Sequence, residues 1–164
     1  MQAGIRQTCL FAVVAVTLVV VFAGTTLAQS SDPRVGTWKL NVAKSTYAAG
    51  TAPKSVTYTA EAAGAGIKVT VDAVAADGTV EHYGFTANYD GKDFPIVGNS
   101  SQGETGARTR VDANTVRTIY KKARKVTVTQ NSVISSDGKT ISITSTGTDA
   151  KGQAVKSVAV YDKQ

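Results

Sequence analysis

The chain is short of the residues that most often carry chemistry. It has one cysteine and one histidine among 164 residues. The cysteine, Cys9, lies near the start of an apolar N-terminal run, so the chain beyond that run has no thiol. Thiol catalysis, thiolate metal sites and disulfides are excluded there. A lone histidine, His82, offers no partner histidine to share a metal and no Ser–His–acid motif. No Gly-x-Ser-x-Gly elbow occurs. These absences predict no catalytic residue, no metal site and no cofactor. Proline is equally scarce, at three residues, which leaves long stretches free to donate every backbone N–H to a sheet. No long segment carries an apolar stripe at helical spacing; the best chance of helix is a turn or two over Val42–Ala49, ended by Gly50-Thr51-Ala52-Pro53.

What is present begins with a leader. Arg6 supplies a positive start, residues 9–24 an apolar run, and Thr26-Leu27-Ala28 small residues at the −3 and −1 positions. The run is short of the roughly 20 residues a membrane span needs. Residues 1–28 therefore read as a signal peptide, a helix in transit, cleaved after Ala28. No stable membrane span is expected after cleavage, and the protein is expected in the periplasm or outside the cell. Cys9 is misplaced for a lipoprotein, whose cysteine follows the apolar run. Residues 29–34 read as a polar leader ahead of one domain spanning 35–164. The net charge of +6 is mildly basic. It suits an acidic partner or simple solubility equally.

The rest alternates with period two. Ile67, Val69 and Val71 alternate with Lys68, Thr70 and Asp72; Ile141 and Ile143 alternate with Ser142 and Thr144. Such segments make half-buried strands. About ten are legible, over 36–42, 55–62, 66–75, 79–88, 92–97, 106–112, 115–122, 125–134, 140–147 and 153–162. Asp77-Gly78, Asp90-Gly91 and Asp137-Gly138 predict tight hairpin turns, and Asp149-Ala150-Lys151-Gly152 a further turn. Phe94-Pro95 marks an edge or bulge, because proline cannot donate to a ladder. Residues 98–106 are the one loop clearly longer than a hairpin. A long meander hides its edges best by closing, so the expected fold is all-β: an antiparallel up-and-down barrel of about eight to ten strands.

Candidate site residues follow from parity. Arg108, Arg110, Arg117, Lys121, Lys122, Arg124 and Lys125 fall on three consecutive strands and their turns. They could capture an anion or form a solvated outer face. Arg108 and Arg110 share one strand face; Arg117, Ile119 and Lys121 share one face of the next. If Val116, Thr118 and Tyr120 point outward, Arg117 enters the interior and anchors a ligand. If they point inward, these charges, Arg108 and Arg110 included, are expected outside. Tyr83, Tyr120 and Tyr161 offer apolar walls with polar tips, and His82 a ligand contact inside the barrel. Nucleic acid is not an expected partner, since exposed aromatics do not interleave with the basic residues.

Gly36-Thr37-Trp38-Lys39-Leu40 opens the first strand, and hairpins run on to Val160-Tyr161-Asp162-Lys163. Over residues 35–163 the chain resembles the calycins, lipocalins and fatty-acid-binding proteins together, and most of all small bacterial exported lipocalin-like proteins. The resemblance implies that Trp38 closes the barrel base and that the interior holds a small apolar ligand. Many lipocalins pack an Arg over that Trp; here Lys156 or Lys163 would take its place. The Arg-x-Tyr that holds a carboxylate in fatty-acid-binding proteins reads Ala159-Val160-Tyr161, keeping only Tyr161. The expected function is carriage of a small, largely apolar or amphipathic ligand, with Arg117 and Tyr161 as polar anchors. The alternative is a filled barrel that meets an envelope partner through its basic face. The intact mass of the exported protein is expected to match a chain starting at Gln29; a mass that retains residues 1–28 would exclude cleavage.

Overall fold

The computed structural model describes residues 32–148 and 154–164. The leader over 1–28 and the turn at 149–152 therefore lie outside the described residues. Eleven strands make one antiparallel sheet: β1 (Gly36–Leu40), β2 (Ser55–Ala63), β3 (Gly66–Val74), β4 (Val80–Ala87), β5 (Asp90–Pro95), β6 (Val97–Asn99), β7 (Thr105–Arg110), β8 (Thr115–Lys122), β9 (Lys125–Ile134), β10 (Thr140–Thr148) and β11 (Ala154–Lys163). Among the described residues the only helix is one 3-10 turn, Val42–Lys44, capped by the Asn41 side chain.

The spatial order is β5-β7-β8-β9-β10-β11-β1-β2-β3-β4-β6. The first and last strands meet across β1, where Leu40 faces Tyr161 and Trp38 faces Tyr58. The sheet's two margins are β5 and β6, which are consecutive in the chain. β5 ladders onto β7 as far as Pro95, and two residues later, from Val97, β6 ladders onto β4. One continuous run of chain thus spans the gap, and the barrel is nearly closed. Pro95 sits where the switch begins, at a point where a missing N–H is tolerated.

This switch corrects one expectation. Asp90-Gly91 is not a hairpin turn, because β4 and β5 do not pair with each other. Gly91 instead takes a positive φ of 75° inside β5, beside the register shift between Asp90 and Asp93. A glycine in that conformation accommodates a bulge as readily as a turn. The other two Asp-Gly pairs do connect paired strands, with Gly78 and Gly138 at positive φ and Asp77 and Asp137 accepting backbone N–H bonds. The loop expected over 98–106 shrinks to 100–104, since both of its flanks are laddered. It is held by Glu104 N–H donating to the Lys121 carbonyl.

Two apolar clusters make up the core, the first running along the inner wall from Val56 to Ala87. One gathers β2–β4 residues such as Ile67, Val69 and Phe85 with Phe94 of β5. Phe85 and Phe94 stack at 4.5 Å and bridge the gap between β4 and β5. The other surrounds Trp38, which is fully buried with Ile134 and Ile141. Gly106 is tied to the first cluster, because a Cβ there would sit 2.6 Å from the Phe94 ring. Gly106→Ala is expected to push the ring off Phe85 and lower stability by about 1–3 kcal/mol in urea melts. An unchanged melt would show that the stack does not hold the gap.

Candidate functional site

The inward face of β8 settles the parity question. Val116, Thr118 and Tyr120 are buried, and Arg117 between them is exposed, with its Nε donating to Asn131 Oδ1 at 3.2 Å. Cross-strand partners share a face of the sheet. Arg108 faces Thr118 and Arg110 faces Val116, so both arginines of β7 lie on the inner face. The expectation that Arg117 anchors a ligand in the interior is therefore corrected: the inward cation is Arg108. His82 is likewise outside. It faces Asp72 across β3 and β4, and its Nδ1 lies 2.6 Å from Asp72 Oδ1 on an exposed surface.

The interior holds a cavity of about 500 Å³. It opens at the end of the barrel where Tyr47–Pro53 of the β1–β2 connection, Ala75-Ala76 and Ser101-Gln102 meet. The interior is thus not filled by its own side chains. Tyr83, Tyr120 and Tyr161 all line this space, with Tyr58, Phe85 and Arg108. Burial raises the hydroxyl pKa of all three, Tyr120 to about 12, so each is a neutral hydrogen-bond donor at neutral pH. Trp38 and Lys163 sit below, with the Lys163 ammonium 5.0 Å from the indole centroid.

Arg108 is 4% exposed, and its Nε is buried without a hydrogen-bond partner. Its guanidinium lies 5.7 Å from the Phe85 ring centroid and 5.6 Å from that of Tyr89. Burial disfavours its charge, but the phenolic oxygens of Tyr58, Tyr89 and Tyr120 favour it and prevail. None of the ion pairs among the described residues involves it.

The carboxylate of the floor, Asp32, is already engaged. Tyr89 donates its hydroxyl to Asp32 Oδ2, Arg110 donates to the same oxygen at 2.7 Å, and the Arg34 backbone N–H donates to Oδ1 at 3.0 Å. Arg34 is fully buried, 3.6 Å from that carboxylate, and its Nη2 donates to the Asn114 carbonyl at 2.5 Å. The Arg34 carbonyl in turn accepts from the Trp38 indole at 2.8 Å. Residues 32–34, expected as part of a polar leader, are therefore the barrel floor. No periodicity marks this segment in the sequence, because its contacts to Tyr89, Arg110 and Asn114 are made with distant strands and turns.

No protein-family model matches the chain, and no curated protein matches it by sequence. A solved structure of zebrafish ileal bile acid-binding protein complexed with cholic acid is similar in fold, with a TM-score of 0.50 at 13% identity. The match covers 80% of this chain and 99% of that one. The fold is thus of the calycin type. No helix of the described residues is long and apolar enough to cross a membrane.

Burial alone would raise the Asp32 carboxyl, but its hydrogen bonds from Tyr89, Arg34 and Arg110 outweigh that and hold it below the ordinary carboxylate range. A depressed folded pKa stabilises the fold above the unfolded value of 3.8 and stops doing so as pH falls through the folded one. Asp32→Asn is expected to cost about 3 kcal/mol at pH 7, by leaving Arg34 unpaired, and to flatten the decline of stability below pH 4. Urea melts across pH 2–7 test this; an Asn variant with the wild-type acid limb would contradict it.

Proposed function

We propose that the protein is an exported, non-catalytic carrier that buries one small amphipathic anion inside its barrel, with Arg108 holding the anionic group. The observation that carries this reading is the enclosed guanidinium of Arg108, which faces a cavity of about 500 Å³ with no ion-pair partner among the described residues. A buried charge is costly unless something neutralises it, and cavities of roughly 300–1,000 Å³ suit one small molecule. Apolar surface of the ligand is covered by the upper cavity walls, worth about 25 cal/mol per Å² removed from water. The charged end adds a charge-assisted hydrogen bond worth about 1.5–3 kcal/mol. The zebrafish protein of similar fold was crystallised with cholic acid, itself an amphipathic carboxylate, which supports a ligand of this type. The leader over 1–28 supports export. Asp72 and His82 pair on an exposed surface, without the enclosure that acid–base catalysis exploits.

Calorimetry with decanoate and decan-1-ol separates charge from chain. Wild-type protein is expected to bind decanoate about tenfold or more tightly than the alcohol. Arg108→Gln should erase that preference and Arg117→Gln preserve it, both variants being checked by thermal melting. Undiminished decanoate preference in a folded Arg108→Gln protein overturns the assignment.

A further inference from the structure

The two halves of the cavity wall differ in chemistry. On one side, β2, β3 and β4 stack their inward residues in rows, Tyr58–Val71–Tyr83 and Ala60–Val69–Phe85. That wall is aliphatic and aromatic apart from one carboxylate, Glu81, which follows the same inward parity on β4. On the other side, the register sets a polar row across five adjacent strands. Arg108 faces Thr118, Thr118 faces Gln130, Gln130 faces Ser145, and Ser145 faces Ser157. All five residues line the cavity. Neighbouring strands lie about 4.8 Å apart, so the row offers a polar group at each step around the wall, with the cation at one end. Gln102 reaches over from the loop, its Oε1 accepting from Gln130 Nε2 at 3.5 Å.

A barrel that only needed to enclose an alkyl chain would gain nothing from this row. Buried hydroxyls and amides without partners cost free energy, and a flexible alkyl chain offers them none. The arrangement favours a ligand that presents hydrogen-bonding groups along one side and a bare hydrocarbon surface along the other. A freely rotating chain holds no such sidedness; a rigid skeleton does.

From this two-sided wall we infer that the ligand is a rigid, facially amphipathic anion, with its acidic group at Arg108, hydroxyl groups along Thr118–Gln130–Ser145–Ser157 and its apolar face on β2–β4. The inference rests on the carrier reading and narrows it to a ligand class. It is drawn from the register of the strands; the zebrafish likeness shows the fold alone.

The test compares two probes that share a skeleton and a carboxylate: cholic acid, hydroxylated on one face, and 5β-cholanic acid, without hydroxyls. Affinities are measured by displacement of a fluorescent anion from wild-type protein and from a Thr118→Val/Ser145→Ala/Ser157→Ala variant. The ratio of the cholanate to the cholate dissociation constant is expected to fall about tenfold or more in the variant, while palmitate binding stays within about twofold. Ser157→Ala alone, at a half-buried position, should lower the ratio about threefold and serves if the triple variant does not fold. An unchanged ratio overturns the sidedness and leaves the carrier reading intact. Failure of both steroid acids to bind while decanoate binds does the same. Failure of every probe, decanoate included, overturns both.

Discussion

A cation enclosed by a barrel must be neutralised, and the structure turns on how that is done for Arg108. The floor supplies one carboxylate, Asp32, and commits it to Tyr89, Arg110 and the Arg34 backbone. Arg34 and Arg110 already outnumber it. Arg108 is left to aromatic faces and phenolic oxygens, which stabilise a guanidinium but carry no formal charge. Glu81 also lines the cavity but forms no ion pair with Arg108, so the cavity is the route by which a further negative charge reaches the cation. On the carrier reading proposed above, ligand binding would also complete the barrel electrostatically, and a bound anion would stabilise the fold by mass action.

The same constraint explains why the floor is built as it is. Trp38 seals the base, with its indole N–H satisfied by the Arg34 carbonyl. Arg34 passes beneath it to the Asn114 carbonyl, in the turn between β7 and β8. The charge pair and the indole thus tie the entry of β1 to the strand that carries Arg108. On the same carrier reading, this base would hold Arg108 in place while the opposite end, formed by connections, would admit the ligand. The cation sits on β7, next to the margin strand β5, and not on the last strand, where Ala159-Val160-Tyr161 contributes only small and phenolic groups to the wall.

Most strands were legible because alternation and turn chemistry act locally. Ile67, Val69 and Val71 face inward as their spacing requires, and the Asp77-Gly78 and Asp137-Gly138 turns fall between paired strands. The switch at Pro95-Ile96 was only half legible. Pro95 signalled an interruption, but pairing of β6 with β4 is a closure of the whole barrel, which no local signal carries. Arg108 was within reach and was missed. The parity of β8 fixes that of β7 through their register, and an arginine inside a barrel runs against the usual preference for exposed charge. The polar row depends on the register of four strand pairs at once, so its members look in sequence like ordinary serines and threonines of half-buried strands.

The most direct measurement is a crystal structure of the protein grown with decanoate. The account predicts electron density for the chain within the cavity and a carboxylate oxygen at about 2.7–2.9 Å from the Arg108 guanidinium. Density for decanoate only on the outer face, or a cavity collapsed around Arg108 with a protein carboxylate in its place, would contradict it.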